Sequence, residues 1–451
     1  MMLKKIINAS THNIYYRSPI FMQHVFTSAY GYKLKRERYN HLYEKAFKRY
    51  IQNDFDKRTA LVDFMHHLKK NIQVYEDIEI DERDILASFL KLPTTVKNDL
   101  RYELDARSCR DGQIRFSGTS GTTGASLAVY DSEHDRADRM AYLDYIKYLN
   151  GVMPFSRRAS FTGQDLTPSD HKNVLWRFNM SMNQMLYAAN HLAPDNIRHV
   201  YESLERFKPE TLDGFPSAIH AVAKYILSNH VTINWDTKAI FPNAETLLPH
   251  IKADLESAFH TKVIDQYASG EGAPFIYGSG DGVYKIGHET GIFEFERVGR
   301  HLYDMIITSF INYATPLVRY RIGDQVEILS DETYLNSYRD DVRITRIFGR
   351  KADYLIGSRD NRVSSVGIAR AVEGIENKVL AFQFIQKDMN RFIVNLVVED
   401  SYNKNDEKIL KDRVIRRLGR DANYQFNYLD ALPREKNGKV RFIINEIAEA
   451  G

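Results

Sequence analysis

The chain has 451 residues, 43% of them apolar and 12% aromatic, enough to bury the cores of two or three domains and to exclude disorder as its main state. Sixty-two Lys and Arg against 59 Asp and Glu leave a formal net charge of +3, too small to mark a nucleic-acid-binding chain, so no nucleic-acid partner is expected. The single cysteine, Cys109, excludes an internal disulfide framework and any multi-thiolate zinc site; with no signal-peptide core in MMLKKIINASTHNIYY and no run long enough to span a membrane, a soluble cytoplasmic protein is predicted.

In chain order, residues 33–75 place Tyr43, Ala46 and Tyr50 at helical spacing and predict a helical N-terminal segment that packs on the body. LPTTVKNDLRYEL (92–104) predicts a loop and a short helix, with Thr95 as its cap and Asp99 in an early turn. FSGTSGTTGASLAVY (116–130) is a glycine-rich loop leading into a strand, and DSEHDRADRMAYLDYIKYLNG (131–151) a helix ending at Gly151. Helices at 197–207 and 218–227 alternate with strands at 238–243, 262–268 (KVIDQYA), 292–298 and 301–310, the signature of an α/β body. The last hundred residues read differently. A hairpin (380–386, KDMN, 391–399), a helix stopped by Gly419 and a strand at 424–429 predict a small α+β unit, joined to the body near FGRKADYL (348–355). The expected division is therefore a helical segment at 1–90, a body at 91–348 and a C-terminal domain at 349–451.

The loop SGTSGTTG was tested against three templates. The P-loop needs Lys and then Ser or Thr after its last glycine, where Ala125 and Ser126 stand; the dinucleotide pattern needs unequal glycine spacing, where Gly118, Gly121 and Gly124 are evenly spaced; and a serine elbow needs a residue between Ser120 and the next glycine. None fits. What remains is close-range backbone N–H groups plus the hydroxyls of Ser117, Thr119, Ser120, Thr122 and Thr123, a chemistry suited to phosphate oxygens, against the plainer reading of a surface turn.

TSGTTG (119–124), DQYASGEG (265–272), VRYRIGD (318–324), FGRKADYL (348–355) and NGKVRF (437–442) occur in the order in which the adenylate-forming, acyl-CoA synthetase-like superfamily carries such motifs, and the chain resembles that superfamily. LPTTVKNDLR (92–101), DGFPSAIHAVAKYI (213–226), PNAETLLP (242–249) and AFQFIQ (381–386) are most similar to the phenylacetate–coenzyme A ligase family and its capsular-polysaccharide-cluster relatives. The resemblance covers Leu92 to Ile444. It implies a large α/β adenylate-forming body with a small mobile C-terminal domain, and ATP- and Mg²⁺-dependent activation of a carboxylic acid to an acyl-adenylate, followed by transfer to coenzyme A. Alternatives are transfer to an amine, a hydroxyl or a carrier-protein thiol, or a scaffold that binds adenylate without turnover. A homodimer is also implied.

By that resemblance Thr119, Ser120, Gly121, Thr122, Thr123 and Gly124 wrap the β and γ phosphates; Glu271 holds the Mg²⁺ that bridges them; Tyr267 stacks on adenine, with Ala244 and Glu245 lining the base pocket; Asp324 and Arg350 hold the ribose; and Lys439 reaches the α-phosphate. Each has a plainer reading beside it. Glu271 is otherwise an exposed turn residue, Tyr267 a buried strand aromatic, Asp324 a strand-ending turn that caps local backbone, Arg350 a solvated charge, and Asn437-Gly438 before Lys439 a structural hairpin turn. Ala125 and Ser126 depart from the usual Lys-Pro, Ala352 from a hinge aspartate that Asp353 follows, and Ala268 and Gly270 from the commoner residues of their motif. Trp176, Phe178, Tyr187, Phe215 and Tyr277 are candidates for an acyl pocket, although core is the expected place for any one of them.

Overall fold

The computed structural model describes residues 14–109, 114–118, 128–164, 166–167, 173–189, 192, 195–243, 247, 249–280, 282–299, 301–348, 354–357, 362–364, 368, 370–372, 375, 378–430, 432–433 and 443–449. After helical residues at 14–17 come the helices α1 (Ile20–Arg38), α2 (His41–Ile51) and α3 (Lys57–Asn71). Two short ones follow, α4 (Ile85–Leu90) and α5 (Lys97–Tyr102). Asn40 caps α2 by accepting from the Leu42 and Tyr43 amides, and the predicted face of Tyr43, Ala46 and Tyr50 is buried. The expected cap at Thr95 is not formed. Thr95 is buried, donates from Oγ1 to the Val318 carbonyl at 2.8 Å and makes a parallel bridge with Tyr320, while Asp99 accepts from the Val96 amide instead. A strand partner 223 residues away outcompetes the local cap.

Strands β1 (Ile114–Gly118) and β2 (Ala128–Ser132) pair antiparallel, with Gly118 opposite Ala128 at the open end. The chain turns at once into α6 (Glu133–Tyr148), where Ser132 and Asp135 form a reciprocal capping box. Asp131, expected in the helix, ends up in the strand because Ser132 has Asp135 three residues on to complete the box. Tyr43, Ala46 and Tyr50 of α2 pack against Ala137, Ala141 and Tyr142 of α6, so the N-terminal helices lie on the body.

A six-stranded sheet follows, ordered β4-β5-β3-β6-β7-β8, from β3 (Arg158–Thr162), β4 (Trp176–Asn179), β5 (Gln184–Ala188), β6 (Thr211–Gly214), β7 (Ala239–Pro242) and β8 (Lys262–Val263). It is parallel except at β4, and helices α7 (Ile197–Phe207), α8 (Pro216–Ser228) and α9 (Pro249–Phe259) contribute Leu204, Ile219 and Leu255 to its core.

KVIDQYA, expected as one strand, is two. β8 closes the six-stranded sheet, and two residues later β9 (Gln266–Tyr267) begins the edge of a second, antiparallel sheet. That sheet has the order β15-β12-β13-β14-β16-β11-β10-β9. Its other strands are β10 (Ile276–Gly278), β11 (Tyr284–Ile286), β12 (Gly291–Gly299), β13 (Leu302–Ser309), β14 (Tyr320–Ile328), β15 (Tyr334–Asn336) and β16 (Ile344–Phe348).

The remaining elements are β17 (Tyr354–Ile356), β18 (Arg362–Ser364), β19 (Val379–Asp388), β20 (Arg391–Val398), α10 (Lys404–Leu418), β21 (Asn423–Tyr428), β22 (Ile443–Asn445) and α11 (Glu446–Glu449). The hairpin β19–β20 is where alternation placed it, and Gly419, at φ 116°, stops α10. Parallel pairing adds β21 and β22 to give the order β21-β20-β19-β22. Leu355, Phe382, Phe392, Leu410 and Ile443 belong to a hydrophobic cluster whose buried members all lie between 355 and 443. The protein is a mixed α/β structure of several sheets, and no described helix is long and apolar enough to cross a membrane.

Candidate functional site

Asp324 sits in the interior of β14, not at a strand end. Gly323, at φ +84°, provides the left-handed step for an irregularity at which Asp304 still pairs with Gln325 but Ile306 pairs with Arg321. The strand on its N-terminal side is firmly held. Arg319 is clamped by Glu294 at 2.8 Å and by the Leu90 and Leu92 carbonyls, Arg321 pairs with Glu296, and the Arg321 amide donates to the Thr95 carbonyl. VRYRIGD is therefore a strand whose arginines brace it sideways while the Gly-Asp step reorients the next carboxylate.

That carboxylate meets Tyr267. The Tyr267 hydroxyl donates to Asp324 Oδ2 at 2.8 Å, and both side chains are half-buried. The contact joins residues 57 apart in the chain. Tyr267 owes its direction to the change of sheet before it. The Ile264 amide donates to the Ile240 carbonyl in one sheet, and the Asp265 carbonyl accepts from Gly278 in the other. Burial raises the pKa of the Asp265 carboxyl, and the Tyr284 hydroxyl donates to it at 2.6 Å.

The turn carrying Glu271 begins where β9 ends. Gly272 has φ +101°, and a Cβ there would lie 2.7 Å from Asn312 Nδ2, so a side chain at this position has no room. Buried Asn312 donates to the Glu271 carbonyl at 2.9 Å, and Arg139 of α6 donates to the Ser269 carbonyl at 2.7 Å. Desolvation lowers the Arg139 pKa, opposed by the carboxylates of Asp131, Asp135 and Glu271. Glu271 is thus a half-buried carboxylate on a turn pinned at two backbone carbonyls, within the field of a cation.

The same segment that supplies Asn312 also holds β2 and the start of α6. Thr315 Oγ1 accepts from the Tyr130 amide on β2 and bonds Ser108, and buried Asp135 accepts from the Tyr313 and Ala314 amides. Asn312, Thr315, Asp135 and Arg139 were missed in the sequence. Their signal was weak, because each is a common residue type whose partner lies far along the chain.

Of the residues assigned by resemblance, Tyr267, Glu271 and Asp324 are described, and the structure brings Tyr267 and Asp324 into contact. Thr119, Ser120, Gly121, Thr122, Thr123, Gly124, Ala244, Glu245, Arg350 and Lys439 lie outside the described residues. Among the described residues no cluster of three or more His, Cys, Asp or Glu side chains could hold a metal ion. A Mg²⁺ that keeps waters and substrate phosphates as its other ligands needs only one or two protein carboxylates, and Glu271 fits that requirement. Tyr187 and Phe215 are core residues of the six-stranded sheet, with Trp176 packed against them, and Tyr277 packs on the α2–α6 core.

Three comparisons bear on this arrangement. Residues 355–446 match the family model described as the CapK C-terminal domain. The chain is 36% identical over 445 residues to Protein CapK of Staphylococcus aureus, covering 96% of this chain and 99% of that one, a likeness that takes in most of the first ninety residues as well. A crystal structure of 2-hydroxyisobutyryl-CoA ligase, in complex with 2-HIB-AMP and CoA in the thioesterification state, superposes with a TM-score of 0.53 at 19% identity, over 87% of this chain and 90% of that one. At that identity the likeness is one of fold.

Proposed function

The chain belongs to the CapK family, and from that premise we propose that it is an adenylate-forming ligase that uses ATP to activate a carboxylic acid, with coenzyme A as the acceptor of the acyl group. A carboxylate oxygen of the acid attacks the α-phosphorus of ATP, the bond to the β-phosphate oxygen breaks, and pyrophosphate leaves. The coenzyme A thiol then attacks the acyl carbonyl, giving up its proton as AMP departs. The observation that carries this reading is the Tyr267–Asp324 hydrogen bond on a fold shared with a ligase whose structure holds an acyl-AMP and CoA.

A carboxylate offers about four lone-pair sites, so Asp324 can accept from ribose hydroxyls while its bond to Tyr267 fixes the phenol ring for stacking on adenine. Glu271 is the residue that would hold Mg²⁺, which when bound neutralises charge on the phosphates. Residues 119–124 are assigned to the phosphates; strand β2, which follows them in the chain, is bonded through Tyr130 and Thr315 to the segment that pins Glu271. Ala244 and Glu245 are assigned to the base, Arg350 to the ribose, and Lys439 to the α-phosphate. The division at 1–90, 91–348 and 349–451 belongs to the same reading, supported by the separate hydrophobic cluster of residues 355–443.

The test is pyrophosphate release from ATP and Mg²⁺ with aryl, fatty, hydroxy and amino acids, using hydroxylamine as a trap and Lys439→Ala as control. Release driven by one class of acid and abolished by the variant supports the reading. ATP binding without release for any acid removes the catalytic assignment.

A further inference from the structure

We propose that the outward face of α1 docks this protein on an anionic lipid bilayer. The net charge of +3 conceals a split: residues 1–36 carry six cations (Lys4, Lys5, Arg17, Lys33, Lys35 and Arg36) and no Asp or Glu, while the other 415 residues carry 56 cations against 59 acids and a net charge of −3. Helix α1 carries three of these positions, Lys33, Lys35 and Arg36, and exposes Lys33 and Arg36 beside its apolar side chains. Its buried residues, Gln23, Thr27 and Gly31, follow one i, i+4 line, so the opposite line faces out. Along it stand Phe21, 64% exposed, Val25, 54%, and Tyr32, 58%, with exposed Lys33 and Arg36 at the C-terminal end.

The apolar surface extends beyond the helix. Met180, 73% exposed, is tied to its flank by a hydrogen bond from its amide to Ser28 Oγ at 3.0 Å. The polar groups run the other way round from those of an ordinary surface helix, in which the buried line is the apolar one. Here the buried line is Gln, Thr and Gly, and the large side chains point to solvent.

Aromatic and aliphatic side chains beside Lys and Arg on one helix face match a bilayer interface, where rings enter the headgroup layer and cations meet anionic lipid. Charge selects this occupant over a second copy of the chain. A two-fold contact through this face would set exposed Lys33 and Arg36 against their own copies, like charge against like charge. The docking is peripheral, in keeping with the absence of a spanning helix among the described residues.

The test is flotation of the full chain with vesicles of phosphatidylglycerol and phosphatidylcholine, and with vesicles of phosphatidylcholine alone. Wild type is expected to float with the anionic vesicles and to be released by salt. Lys33→Glu with Arg36→Glu should weaken binding by at least ~20-fold, since each cation near an anionic surface contributes on the order of fivefold. Phe21→Asp with Val25→Asp should abolish it, with thermal unfolding unchanged because both side chains are exposed. Failure of wild type to float, or equal flotation of wild type and both variants, overturns the proposal. So does a dimer in sedimentation that Phe21→Asp with Val25→Asp converts to monomer, which assigns the face to a second copy.

Discussion

The Asp324 carboxylate on β14 accepts the hydroxyl proton of Tyr267 on β9, two strands that β16, β11 and β10 separate in the sheet. The bond joins the residue assigned to the ribose to the one assigned to the adenine, so each orients the other. Tyr267→Phe keeps the ring and removes the bond. Because the pair is only half-buried, the loss should be about 1 kcal/mol, read as a rise of roughly fivefold in the KM for ATP with a smaller change in kcat. Asp324→Ala should weaken nucleotide binding more, with the thermal midpoint little changed. Calorimetry that finds equal nucleotide affinity in wild type and Asp324→Ala takes the residue out of the ribose site.

Gly272→Ala forces a side chain onto a left-handed backbone and into Asn312. It should cost about 1–3 kcal/mol of stability and raise the Mg²⁺ concentration needed for half-maximal pyrophosphate release. A stability loss with an unaltered metal titration would show that the turn does not present Glu271 to the metal.

Arg139 acts by pinning the turn through the Ser269 carbonyl. Arg139→Met should move the Mg²⁺ titration in the same direction as Gly272→Ala, and Arg139→Lys should restore part of it. If all three proteins titrate alike, Arg139 is a packing residue.

Lys439→Ala should slow acyl-adenylate formation by about two to three orders of magnitude and leave thioester formation from a preformed adenylate nearly intact. Equal losses in the two half-reactions contradict the assigned role.

The pKa of His288 is lowered to about 4, first by burial and then by the Lys57 charge. Its folded-state pKa is below the unfolded value of about 6.5, so the unfolded chain binds more protons between the two. The stability it contributes is present above pH 6.5 and is lost as the pH falls towards 4. His288 is partly solvated, so the loss is about 1–2 kcal/mol, less than the full shift implies. His288→Gln should flatten the denaturation midpoint between these pH values. An unchanged slope assigns the acid sensitivity to other groups.

Elements with a local cause were legible in the sequence. Helix 197–207 is where its periodicity placed it, and the β19–β20 hairpin and the Gly419 stop needed only alternation and one glycine. Where the cause was remote, reading failed. Thr95 has the type of a cap, but its hydroxyl serves Val318, and KVIDQYA has the composition of one strand but serves two sheets. At the site, Tyr267, Glu271 and Asp324 stand in short motifs that a sequence displays. Asn312, Asp135 and Thr315 act through backbone groups far along the chain, and no spacing rule connects a side chain to a distant carbonyl or amide.

The passage from β8 to β9 leaves no slack, since Ile264 is bonded to one sheet and Asp265 to the other. Successive strand residues alternate faces, so inserting or deleting one residue there would turn Tyr267 towards the side that Tyr277 occupies and offer Gln266 (insertion) or Ala268 (deletion) to Asp324 in its place. Across this stretch, substitutions are tolerable but changes of length are not. In any set of descendants of this chain, the spacing between Val263 and Tyr267 should outlast the identity of the residues between them.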